Sequence, residues 1–63
     1  MNEYKVMIEL EEGGYDAEHF FTEVDDEEAN GKCYGLADKG YYKLYRKVAN
    51  GGLVGFHWKR VKM

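Results

Sequence analysis

The sequence predicts one small α+β domain, in which an antiparallel sheet of about four strands, in the order ββαββ, is covered by one helix. Three observations predict this architecture: apolar and polar residues alternate near the N-terminus, an acidic helix start follows, and a strong hairpin pattern separates two strand-like segments near the C-terminus. A chain of 63 residues forms one domain at most, residues 1–63. Because domains of this size bury only about 60% of their unfolded surface, the core should be thin.

The first hairpin is predicted from alternation followed by glycines. Apolar side chains occur at every second position from Tyr4 to Leu10, which is typical of a half-buried strand. Residues 11–14 end in two glycines, which adopt positive φ without steric cost and therefore favour a turn. The return strand is predicted over 19–24. Either of its faces could be buried: one has Phe20, Thr22 and Val24, and the other has His19, Phe21 and Glu23.

The helix is predicted over residues 26–39. Asp25 or Asp26 can cap its N-terminus, with Glu28 in the capping-box position. At 100° per residue, one narrow face of small groups should contact the sheet. This face consists of Ala29, Cys33, Leu36, Ala37 and Gly40.

The second hairpin has strands predicted over 41–48 and 53–61, separated by the turn sequence of residues 49–52. Its inward face is predicted to consist of Tyr42, Leu44, Val48, Val54, Phe56 and Trp58. Trp58 is therefore expected in the core, where its replacement by alanine would cost about 3–5 kcal/mol.

The charges divide between the two halves of the chain, although the net charge is only −3. Residues 1–31 have eleven acids and one base, Lys5, whereas residues 32–63 have eight bases and one acid, Asp38. Such asymmetry predicts a dipolar molecule that can present opposite faces to partners. Pairing between the halves within the fold is the alternative.

Several classes of chemistry are not expected. Cys33, His19 and His57 lack the close spacing of a structural zinc site. A calcium-loop pattern begins at Asp26, Glu28, Asn30 and Gly31 but has Ala37 where the bidentate glutamate belongs. No serine is present, and no nucleophile motif surrounds Thr22 or Cys33. We expect no cofactor, no metal and no enzymatic activity.

The cellular location is expected to be the cytoplasm. A single cysteine cannot form an internal disulfide, and small secreted domains usually need such links. No apolar run approaches the roughly 20 residues of a membrane span, and residues 1–25 lack the apolar segment of a leader peptide.

The first functional hypothesis is a non-enzymatic protein-binding module with an acidic surface. Clustered acids could imitate the negative field of a nucleic acid and engage a protein partner with a basic surface. The size and charge asymmetry are similar to those of phage and mobile-element accessory or inhibitor proteins. The predicted surface consists of Glu11, Glu12, Asp16, Glu18, Glu23, Asp25, Asp26, Glu27 and Glu28.

Two alternatives remain open. The outward face of the second hairpin interleaves aromatic and basic residues, a pattern typical of platforms that bind single-stranded nucleic acid. Its predicted members are Tyr41, Lys43, Tyr45, Lys47, His57 and Lys59. The other alternative is a structural homo-oligomer, a dimer or larger, in which exposed edge strands pair between chains.

Overall fold

The fold is a four-stranded antiparallel sheet with one helix, as the sequence predicts. The computed structural model describes residues 1–10, 12–37, 41–52 and 55–62. The elements are β1 (Asn2–Glu9), β2 (Tyr15–Glu23), α1 (Asp26–Leu36), β3 (Tyr42–Ala49) and β4 (Phe56–Arg60). The strand order is β2-β1-β3-β4, so β2 and β4 are the two edges of the sheet. Every neighbouring pair of strands is antiparallel.

The first hairpin closes through backbone hydrogen bonds at its turn. The Leu10 amide donates to the Gly14 carbonyl, and the Gly13 amide donates to the Leu10 carbonyl, each at 3.1 Å. Gly13 and Gly14 have φ values of 94° and 79°, which explains why the chain has glycine at both positions. β2 begins at Tyr15, four residues before the predicted start, because its pairing with β1 continues to the turn.

The helix begins as predicted and ends earlier. Asp25 is the N-cap residue, and its carboxylate accepts a 2.9 Å hydrogen bond from the Glu28 amide. The helix ends at Leu36 rather than at residue 39, and residues 38–40 lie outside the described part of the chain. The longest helix described has 11 residues, and none of the helices is long and apolar enough to cross a membrane.

The helix contacts the sheet through a ridge narrower than the predicted face. Ala29, Cys33 and Ala37 are buried, and they recur at intervals of four residues. Leu36, which the sequence pattern assigns to this face, is 44% exposed because it lies beside the ridge rather than on it. The fifth predicted member, Gly40, is not among the described residues.

The core lies between α1 and the face of the sheet that we call the covered face. Tyr4 and Val6 of β1 and Leu44 of β3 are buried there, and partly buried apolar residues pack around them. Phe21 is one of these, and its ring stacks on that of Tyr4 with a centroid separation of 5.6 Å. The buried face of β2 is therefore the one with Phe21, which the sequence leaves undecided.

The predicted faces of β4 are reversed. Residues directly opposite each other on antiparallel strands point to the same side of the sheet. Trp58 lies opposite Lys47, and His57 lies opposite Val48. Trp58 and Phe56 therefore point away from the helix. The prediction of Trp58 as a core residue is wrong. Val54, the third predicted inward residue of this strand, lies outside the described residues.

The reversal follows from the position of β4 at the edge of the sheet. The helix packs over β2, β1 and β3, and β4 is the strand beyond them. Because the helix does not extend over β4, the apolar side chains of this strand can pack on either face of the sheet. Alternation alone therefore does not determine which face they point to. Val61, just after β4, packs against the core.

Candidate functional site

The candidate site is the face of the sheet opposite α1, which we call the open face. Tyr4 and Val6 point to the covered face, so the odd-numbered residues of β1 point to the opposite side. The pairing register extends this assignment across the sheet: Lys5 of β1 lies opposite Phe20 of β2 and Tyr45 of β3. On the last strand, Trp58 and its even-numbered neighbours share the open face.

Aromatic rings from both edge strands meet over the open face. The Phe20 ring lies 5.9 Å from the Trp58 ring, between centroids, with an interplanar angle of 51°. The Phe56 ring contacts the same Trp58 edge to face, at 5.6 Å and 85°. Phe20 is 63% exposed and Phe56 is 46% exposed. The open face therefore presents a contiguous aromatic cluster, which we define as Phe20, Phe56 and Trp58.

Basic side chains lie over or beside these rings. The Lys5 ammonium is 5.0 Å from the Trp58 centroid and 5.1 Å from that of Tyr45. The Lys47 ammonium lies 4.1 Å from the centroid of the Phe56 ring, which is the shorter contact. A cation within about 6 Å of a ring face is attracted by the ring quadrupole, and these contacts fix positive charge at the aromatic cluster.

Carboxylates on the same face pair with two of the lysines. Lys47 lies 3.4 Å from Glu3, and Lys43 lies 3.3 Å from Glu9. Lys43 also donates a 2.9 Å hydrogen bond to the Tyr15 hydroxyl, and this bond, with the bond to Glu9, raises the pKa of the Lys43 ammonium. These side chains are at least partly exposed, so their pairing contributes little free energy and can be exchanged for other anions.

The predicted nucleic-acid residues do not all share this face. Lys43, Tyr45 and Lys47 lie on the open face, and Tyr41 is exposed just before β3. The grouping of His57 and Lys59 with them is wrong, because both residues belong to the covered side of β4. His57 instead places its Nδ1 2.7 Å from the Asn50 side-chain oxygen.

The sequence-based prediction missed other residues of the site. These are Lys5, Phe20, Phe56, Trp58 and Arg60, whose guanidinium lies 5.8 Å from the centroid of the Tyr45 ring. Lys5 could have been found from the alternation of β1, since it lies between Tyr4 and Val6 and must point away from them. The remaining residues could not be found in this way, because the sequence did not determine which faces of β2 and β4 are covered.

The predicted acidic residues are divided between the two ends of β2. Glu12 lies in the turn before that strand, whereas Glu23 ends it and the helix-cap acids follow. At 3.4 Å per residue, the two ends are roughly 30 Å apart. Glu18 is exposed between them, on the open face. Glu11, and the side chain of Asp16, lie outside what the structure describes.

Several of these acids already have partners within the chain. Glu23 lies 3.9 Å from Lys32. Asp26 contacts Arg46 and the Tyr4 hydroxyl, and the Tyr4 hydrogen bond, together with Arg46, lowers the pKa of its carboxyl. Asp25 caps the helix. Glu27 and Glu28 are exposed in the first turn of the helix, and Asp25 is exposed beside them.

The thiol and the candidate metal ligands lie apart from the open face. Cys33 belongs to α1 and is buried on the side of the helix that faces the sheet. Burial raises the pKa of its thiol to about 11, so the reactive thiolate is scarce at neutral pH. Asp26, Glu28, Asn30 and Gly31, the start of the calcium-loop pattern, belong to α1. Among the residues described, no group of three or more His, Cys, Asp or Glu side chains could hold a metal ion.

Comparison with family models found no match. Comparison with curated proteins and with solved structures likewise found none.

Proposed function

We propose that this chain is a non-enzymatic binding module whose open face binds single-stranded nucleic acid. The observation that best supports the proposal is the aromatic cluster of Phe20, Phe56 and Trp58, partly exposed on the open face with Lys5 and Lys47 against its rings. This function is the second hypothesis from the sequence. Its residues are partly different: Lys43, Tyr45 and Lys47 remain, and Phe20, Phe56 and Trp58 are added.

The physical basis is stacking combined with charge neutralisation. Bases of a single strand can stack on exposed aromatic rings, and each such contact contributes about 1–3 kcal/mol. Phosphates can take the place of the Glu3 and Glu9 carboxylates as partners of Lys47 and Lys43. A duplex hides the faces of its bases, so binding should favour single strands.

The acidic-surface hypothesis receives less support from the geometry. Except for Glu18, its described side chains lie towards the two ends of β2, and Glu23 and Asp26 have basic partners in the chain. A basic protein partner would therefore meet a small group around Glu27 and Glu28 rather than one broad surface.

The direct test uses Trp58, the single tryptophan of the chain, as a fluorescent reporter. Titration with a single-stranded DNA or RNA homopolymer should quench its emission, because a stacked base contacts the indole. Binding should weaken as salt rises, with a log-log slope of about −0.7 for each phosphate that is neutralised. A duplex of equal length serves as the comparison and should bind more weakly.

Matched variants locate the binding surface. Replacing Phe20 with threonine keeps strand propensity and should weaken binding about 5- to 150-fold. Lys47→Gln should also weaken binding and reduce the salt slope. Its control is Lys59→Gln, which removes the same charge from the covered side of the neighbouring strand. Equal effects of Lys47→Gln and Lys59→Gln, or no binding by the wild type, would exclude the open face as a nucleic-acid site.

A further inference from the structure

The two edges of the sheet have opposite charge. β2 contains Asp16, Glu18 and Glu23 and no lysine or arginine. β4 contains Lys59 and Arg60 and no acid. The strand order places these two strands at the two edges of the sheet. The acidic first half and the basic second half of the chain therefore supply one edge strand each.

The hydrogen-bond ladder shows which backbone groups face outward at the edge of β2. In an antiparallel ladder, successive residues of a strand bond alternately to its two neighbours. The Glu9 amide donates to the Tyr41 carbonyl at 3.0 Å, so odd-numbered residues of β1 bond towards β3. Even-numbered residues bond to β2, through partners such as His19 and Phe21. The backbone groups of Glu18, Phe20 and Thr22 therefore point outward.

The same argument applies at the edge of β4. The Val61 amide donates to the Leu44 carbonyl at 2.9 Å, so odd-numbered residues of this segment bond to β3. Phe56, Trp58 and Arg60 consequently direct their backbone donors and acceptors outward. Both edges thus present a short row of backbone groups that another strand can pair with.

We propose that copies of this chain associate head to tail, with β4 of one copy paired to β2 of the next. The strand directions alternate across the order β2-β1-β3-β4, so a copy in the same orientation places its β2 antiparallel to the preceding β4. A register that sets Trp58 opposite Phe20 of the next copy sets Arg60 opposite Glu18. In this register the pairs Phe56–Thr22, Trp58–Phe20 and Arg60–Glu18 join residues with outward-facing backbone groups, and the last of these pairs brings opposite charges together.

Charge also selects this pairing over the symmetric ones. Pairing two β2 edges would bring two acidic strands together, and pairing two β4 edges would bring two basic strands together. Like charges brought close together in this way repel each other. A head-to-tail contact uses different surfaces on the two copies, so it generates a ring or a filament. The association does not depend on nucleic-acid binding. The sequence predicts only that edge strands pair between copies, and the proposal names β4 and β2 as the strands that pair.

The test measures sedimentation of the nucleic-acid-free protein over a range of concentrations and salt. The wild type should form species larger than a dimer as concentration rises, and high salt should shift it towards monomer. Glu18→Lys and Arg60→Glu should each be monomeric, because each places like charges opposite one another. An equimolar mixture of the two should associate again, since the lysine introduced in the first variant then meets the glutamate introduced in the second.

Thr22→Pro provides an independent variant. It removes one outward-facing amide of β2 while leaving the β1 ladder intact, so it should weaken association without unfolding the domain, as checked by circular dichroism. A wild type that stays monomeric at millimolar concentration would overturn the proposal. Folded single variants that associate like the wild type, or a mixture that fails to restore association, would also overturn it.

Discussion

Arg46 of β3 places its Nη1 2.9 Å from Oδ1 and 2.7 Å from Oδ2 of Asp26, the first residue of α1. The Tyr4 hydroxyl donates to the same Oδ1 at 2.7 Å. Three elements therefore meet at one carboxylate: the start of the helix and the two central strands. The Asp26 and Arg46 side chains are about one-third exposed, at 32% and 31%, so this network is partly shielded from water.

The first prediction concerns the pH dependence of this network. Asp26 has a lowered pKa in the folded state, so its charge stabilises the fold above its unfolded pKa of about 4 and that contribution is lost as pH falls through the lower folded value. Asp26→Asn should reduce the free energy of unfolding by about 1–3 kcal/mol at neutral pH. Urea unfolding from pH 7 to pH 2 should show the difference from wild type shrinking below about pH 4.

Glu27→Gln is the control for the Asp26 variant, because it removes a carboxylate from the same helical turn without removing the contact to Arg46. It should lose only the helix-dipole contribution of about 0.3–1 kcal/mol. An Asp26→Asn variant no less stable than Glu27→Gln would show that the network adds nothing to the fold.

The second prediction concerns the N-cap. Asp25→Ala leaves the Glu28 amide without its side-chain acceptor and should cost about 0.5–2 kcal/mol, whereas Asp25→Ser keeps an acceptor and should cost less. Thermal unfolding followed by circular dichroism measures both. Equal stability of the alanine and serine variants would contradict the capping role.

The third prediction distinguishes the two faces of the sheet. Leu44 is buried on the covered face, and Leu44→Ala should cost about 2–5 kcal/mol. Trp58 is half-buried on the open face, so Trp58→Thr should cost only about 0.5–2 kcal/mol. Chemical denaturation of both variants provides the comparison. A larger loss for Trp58→Thr would mean that the open-face rings form a second core rather than an available binding surface.

The fourth prediction concerns Cys33. A buried thiol with a raised pKa should react with a thiol-specific reagent at pH 8 only when the chain opens. The reaction should be slow in buffer and fast in denaturant, measured as label incorporated over time. Rapid labelling of the folded protein would show that the helix does not protect this side chain.

Local chemistry was sufficient to predict the elements and their order. The alternation from Tyr4, the capping aspartate Asp25 and the glycine-containing turns each act over a few residues, so their effects are visible in the sequence. Boundaries were less predictable, because pairing with β1 extends β2 back to Tyr15, and α1 ends at Leu36, after which Ala37 is extended.

The candidate site was only partly predictable. Lys43, Tyr45 and Lys47 were placed together correctly because they alternate with the apolar residues of one strand. Phe20 and Trp58 were not recognised as neighbours, since they belong to opposite edges of the sheet and their contact exists only after folding.

The sequence by itself determined the α+β class, the order of the elements, the helix cap and the division of charge, because each depends on local propensity or simple composition. Only the tertiary structure decided which faces of β2 and β4 are covered and which aromatic rings meet. It also turned the charge division into one acidic edge and one basic edge. The physical reason is that a strand has two faces, and the position of the helix over β2, β1 and β3, rather than the alternation within a strand, determines which of them is buried.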